Sequence, residues 1–172
     1  MFKALGIAMI LFACFMFSYL KADELKQKYH NLKQMKKALS MMKSEISFSA
    51  KELSETAGEI SESLLGDMKD FFKAVSQNLS DNETLDFGQA WAAVREEFAQ
   101  TPFLSPAADK TMTDFSQRAG KMSREIEIEN IDKTLESLDR EIADEGENYA
   151  KNRKLIFTLG IGAGLAVLIL FI

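Results

Sequence analysis

Histidine and cysteine are almost missing from this chain of 172 residues, with His30 and Cys14 the only members of either type. Cys14 sits inside an apolar run and His30 stands alone on a lysine-rich stretch. One copy of the chain therefore cannot assemble a serine–histidine–aspartate site, a cysteine–histidine site or a histidine/cysteine zinc cage. Proline is nearly as scarce, and Pro102 and Pro106 fall in one connection, so no proline interrupts helix elsewhere. No stretch alternates with period two, which argues against strands. A phosphate-binding Gly-rich loop is also lacking, because the densest glycines, Gly160, Gly162 and Gly164, lie in a second apolar run. Carboxylates are plentiful but do not converge on one face. These absences argue against an enzyme and leave no catalytic, cofactor-binding or metal-ligating residue to nominate.

Long apolar runs are missing from Lys21 to Lys154 and present on both sides of it. Ala4–Leu20 and Leu155–Ile172 carry no charge. As helices each reaches ~26 Å, near the lower limit for crossing a ~30 Å hydrocarbon core. The expected organisation is a transmembrane helix at 3–20, a polar domain at 21–154 and a second transmembrane helix at 155–172.

The net charge of −5 hides a sorting along the chain. Lys21–Ile46 holds seven lysines against three acids, Ser47–Gly120 six basic residues against thirteen acids, and Lys121–Ala150 four against ten. Lys151, Arg153 and Lys154 are basic again. With no basic patch outside the flanks of the apolar runs, nucleic acid is not an expected partner. Those basic flanks place the polar domain in the cytoplasm by the positive-inside rule. Three rival readings of the sequence are weaker. Tyr19-Leu20-Lys21 is a poor signal-peptide cleavage site. Leu11-Phe12-Ala13-Cys14 is only a partial lipoprotein box, since the run stays apolar to Leu20. Asn78-Leu79-Ser80 and Asn82-Glu83-Thr84 match glycosylation acceptors, which matter only in a secreted context.

The polar domain reads as helix almost throughout. Leu25, Tyr29, Leu32, Met35, Leu39, Met42 and Ile46 recur in steps of three and four, an amphipathic stripe that continues from the first apolar run without a glycine or proline. Ser49 and Glu52 match a capping box, with Phe48 and Leu53 as its staple. Leu53, Ala57, Ile60 and Leu64 then form a short helix ended by Gly66. Met68, Phe71, Phe72, Val75 and Leu79 make the next. Asp86–Gln89 is a second capping box, opening a helix with Trp91, Val94 and Phe98. Ser105-Pro106 starts a further one with Met112, Phe115 and Ala119, closing near Gly120. From Ser123 onward Ile128, Ile131, Leu135, Leu138 and Ile142 form a coiled-coil seam, which Tyr149 rejoins beyond Gly146.

The basic first helix and the acidic last one are expected to pack antiparallel as a stalk, with Lys26, Lys33 and Lys37 facing Glu141, Asp139 and Glu136. Exposed pairs contribute only ~0.2–1 kcal/mol each, so the apolar stripe must supply most of the stability. Gly160 and Gly164 have the small-xxx-small spacing that lets helices approach in a membrane, toward the first span or another copy. The aromatics Trp91, Phe87 and Phe103 are contact candidates, for which core packing is the better explanation.

With these elements in place the chain resembles the stage III sporulation protein AB family over nearly its full length. The resemblance is carried by Lys3-Ala4-Leu5-Gly6 and by Leu32-Lys33-Gln34-Met35-Lys36-Lys37-Ala38-Leu39 running into Met42-Lys43-Ser44-Glu45-Ile46. Ala90-Trp91 and Leu159-Gly160-Ile161-Gly162-Ala163-Gly164-Leu165 complete it. The family's Tyr-Gly and Thr-Pro-Leu turn is replaced here by Ser47–Leu53, and its later Phe-Gly and Leu-Gly pairs are reduced to Phe115 and Ala119-Gly120.

The resemblance implies an all-α fold: a cytoplasmic helical bundle with long antiparallel stalk helices between two transmembrane helices, similar to the cytoplasmic domain of the type II secretion platform protein. It implies a multi-pass protein of the mother-cell membrane with no enzymatic activity and no cofactor. Its expected partners are membrane lipid, further copies of itself, and the other subunits of the stage III sporulation channel complex, including the ATPase. The contrasting expectation is a membrane-anchored signalling or structural coiled-coil protein unrelated to sporulation.

Overall fold

The computed structural model describes the backbone of residues 2–49, 51–82, 84–99, 101 and 103–171. Among the described residues there are six α-helices and no strand: α1 (Phe2–Phe48), α2 (Leu53–Glu62), α3 (Gly66–Asp81), α4 (Phe87–Glu97), α5 (Pro106–Ser116) and α6 (Arg124–Phe171). The all-α expectation holds, as does the order of four short helices between two long ones. α1 passes from the apolar run into the lysine-rich stripe without a break, and α6 runs through Gly146.

Two compact units divide the chain: Met1–Gln27 with Asp144–Ile172, and Lys28–Ala143. The first unit contains helical segments of α1 and α6, with Lys21–Glu24 and Lys151–Glu147 as ion pairs along the helices. The described residues of both runs read as spans are helical. Among the described residues, however, no helix is long and apolar enough to cross a membrane. The side chain of Cys14 and the face of Gly160 and Gly164 lie outside the described residues, as do most side chains of the two runs.

The second unit holds the core. Leu32, Met35, Leu39 and Met42 of α1, Ile131 and Leu138 of α6, and the inner faces of α2–α5 are buried together. In this unit α1 and α6 run antiparallel: Lys36 pairs with Asp139 at 2.5 Å, Lys43 with Asp132 at 2.6 Å, and Arg124 donates to the Ser47 carbonyl. The expected charge pairs are thus corrected. Lys37 donates to the Ser63 carbonyl and Lys33 lies over the Tyr29 ring, while Lys36 and Lys43, seven residues apart, flank the stripe and meet acids with the same spacing.

The helix ends divide into those that match their signals and those that do not. Asp86 caps α4 in a complete capping box with Gln89, and Ser105 caps α5 with Pro106 at its first position. The Ser49 capping box does not form. Ser49 stays with α1, its hydroxyl bonded to the carbonyl and carboxylate of Glu45, and Glu52 precedes α2 without a side-chain bond. Phe48 is 89 % exposed, so it staples nothing. Gly66 does not end α2 but opens α3 with φ 57°. α2 has already closed in tight turns, in which the Ser63 and Leu64 N–H groups reach Ile60 and Ser61. Ala50, Glu83 and Pro102 lie outside the described residues.

Candidate functional site

In the Lys28–Ala143 unit two depressions adjoin where α2 starts and the chain passes from α5 toward α6. A cleft of about 820 Å³ is lined by Leu53, Leu79, Leu85, Phe87, Asp86 and Lys121 among others. Beside it a smaller groove of about 300 Å³ is lined by Ile46, Leu53, Met122 and Glu127, and the two share Leu53 and Gly120. Gly120 belongs there for two reasons. Its φ of 76° is left-handed, and a Cβ would come within 2.6 Å of Leu53 Cδ1.

Two carboxylates of this region respond oppositely to their surroundings. Asp86 accepts from the Gln89 N–H at 2.9 Å and pairs with Lys121 at 3.0 Å; that cap bond first, and the lysine second, hold its carboxyl below the usual range. Glu127 is only 4 % exposed. Burial pushes its carboxyl upward, against the Gly120 N–H at 3.3 Å and the charge of Arg118. Its second oxygen, Oε2, has no hydrogen-bond partner, nor has the Nδ2 of Asn130 one turn along α6.

A raised carboxyl pKa means the folded chain binds the proton more tightly than the unfolded one. The penalty is absent below the unfolded pKa and grows as pH rises through the folded pKa. Glu127→Gln should therefore raise the melting temperature near pH 7–8 and change it little near pH 4. Melting both proteins across that range by circular dichroism checks the sign.

The residues considered from sequence fall where core chemistry puts them. Trp91, Phe87 and Phe103 are buried, and Phe71 joins them in one aromatic cluster. His30 is exposed and within 3.2 Å of Gln34. Among the described residues no group of three or more histidine, cysteine, aspartate or glutamate side chains is placed to hold a metal ion. What periodicity of apolar residues missed is the polar part of the α6 seam: Glu127, Asn130 and Thr134 are buried between Ile131 and the start of the helix or beside it, whereas Ile128 is only half-buried. Their own steps of three and four, from Glu127 to Asn130 to Thr134, were the available signal.

A family model for stage III sporulation protein AB matches residues 3–172. The chain belongs to that family. A solved structure of stage III sporulation protein AB shares its fold, with a TM-score of 0.66 at 19 % sequence identity, covering 72 % of this chain and 97 % of that one. No curated protein matches the sequence. Membership of the stage III sporulation protein AB family places the chain in sporulation and overturns the alternative of a coiled-coil protein unrelated to it.

Proposed function

We propose that the chain is a non-enzymatic membrane platform in a secretion-like channel between mother cell and forespore, linking a cytoplasmic ATPase to membrane components. The observation that carries this reading is the reach of the family match: residues 3–172 take in both apolar runs together with the helical domain between them. On this reading 3–20 and 155–172 are membrane anchors, 21–154 is cytoplasmic, and the antiparallel pairing of α1 with α6 extends toward the bilayer as a stalk. The small-xxx-small face of Gly160 and Gly164 then meets the first span or a second copy. The densely packed Lys28–Ala143 core suits a part that must hold partners in fixed geometry, since close-packed interiors transmit force instead of absorbing it.

Deleting 155–172 tests the anchoring role. In an endospore-forming host lacking its own family member, the full chain should restore heat-resistant spores and fractionate with membranes. The truncated chain should leave the membrane fraction and yield no more spores than the empty host. Full sporulation by the truncated chain would contradict the proposal.

A further inference from the structure

The passage from α1 into α2 carries two incompatible sets of signals. Ser49 and Glu52 have the spacing of a capping box, and Phe48 and Leu53 stand where a hydrophobic staple puts them, one residue before the cap and four after it. None of the four makes those contacts here. The Ser49 hydroxyl turns back to the carbonyl and the Oε2 of Glu45, both at 3.0 Å, and the Ser49 N–H reaches the same carbonyl at 2.7 Å. Glu52 stands at the start of α2 without a side-chain cap bond. Phe48 is 89 % exposed. Leu53 is half-buried and lines the 300 Å³ groove, together with Ile46, Ser49 and Met122.

What holds the observed arrangement is polar and shallow. Beyond the Glu45 bonds, Arg124 donates to the Ser47 carbonyl, and Lys51 reaches Glu59 at 2.5 Å. Surface bonds of this kind are individually weak. Against them stand an exposed phenylalanine ring, a helix start with no side-chain cap, and a groove whose wall includes the residue next to that ring. Burying the ring and capping the helix are each favourable by a similar or larger amount. Neither set outweighs the other by far.

We infer that the α1–α2 junction is a two-state switch in which Phe48 is the lid of this groove. In the open state, seen here, α1 runs on to Phe48 and the ring faces solvent. In the closed state α1 gives up its last turn and Phe48 packs on Leu53, filling the groove. The Ser49 hydroxyl oxygen then accepts from the Glu52 N–H, and the Glu52 carboxylate accepts from the Ser49 N–H. That N–H leaves the Glu45 carbonyl for a new acceptor, so no donor is stranded by the change. Closing hides the exposed ring and the groove in one step, so the surface at this end is available only when the switch is open. The switch is independent of the platform reading.

The test places 4-fluorophenylalanine at position 48 alone in the full chain, held in lipid nanodiscs. Its fluorine resonance is read with a soluble gadolinium chelate, which broadens exposed sites. Ser49→Asp favours closing, because aspartate caps a helix as well as serine does but has no hydroxyl to donate to Glu45. It should raise the protected population about tenfold, with magnetisation transfer to the Leu53 methyl protons. Adding Glu52→Ala should lower that population about fivefold. Arg124→Ala removes the bond to Ser47 without touching the box, and should raise the protected population about threefold. A fluorine that stays exposed in both Ser49→Asp and Arg124→Ala would overturn the switch. So would protection without contact to Leu53, or a protected population indifferent to Glu52→Ala.

Discussion

Phe71→Ala should cost about 3–5 kcal/mol. Phe71 is fully buried, and its ring centroid lies 4.6 Å from Trp91, 4.7 Å from Phe103, 5.6 Å from Phe98 and 5.9 Å from Phe72. Those four rings come from α3, α4 and the connection after it, so one side chain bolts three segments together. Edge-to-face contacts add to the area each ring buries. Collapse into the gap is opposed by the far side of the cluster, where Arg95 stacks on Phe103 at 5.0 Å and is held by two bonds to Asp109. Against a typical domain stability of ~5–15 kcal/mol, the loss should move the urea midpoint by a large fraction of its value. Exposed Lys73, two residues along the same helix, should tolerate alanine within ~0.5 kcal/mol. Equal midpoints for the two variants would refute the account of the core.

Gly120→Val should cost about 2–5 kcal/mol although the residue is exposed. Two penalties combine. The backbone φ of 76° is one that a β-branched residue adopts only under strain, and the added Cβ would stand 2.6 Å from Leu53 Cδ1. Gly66 separates the two effects, because its φ is also positive, at 57°, but nothing lies within 4 Å of its Cβ position. Gly66→Val should therefore lose only the backbone part, about 1–3 kcal/mol. Urea denaturation of both variants gives the difference, which is the cost of pushing Leu53 aside. The same shift should reshape the two grooves that Leu53 and Gly120 share. If the two valine variants unfolded at the same midpoint, the close packing of Gly120 on Leu53 would be wrong.

The helices themselves were legible because their apolar residues repeat with steps of three and four, and because Asp86 and Ser105 carry caps whose chemistry is local. Ser49 misled because a serine one residue past a helix can bond backward as well as forward, and Glu45 was the nearer partner. Gly66 misled for a related reason: a positive φ is needed after a helix or before one, and sequence does not say which. The partners of Lys36 and Lys43 depend on register between elements 89 and 103 residues apart, which only packing decides. Glu127 was hidden by its charge. A glutamate in an acidic helix reads as solvated until the chain folds over it.

The central claim is that a cytoplasmic helical platform stands between two membrane anchors, and labelling in intact cells tests it most directly. With Cys14 replaced by serine, single cysteines go to Glu62 and Ser80, both exposed and both within the Lys28–Ala143 unit. The account predicts no reaction with a membrane-impermeant maleimide until the membrane is permeabilised, and full reaction afterwards. Labelling of both sites in intact cells would place the helical domain outside the cytoplasm and contradict the platform.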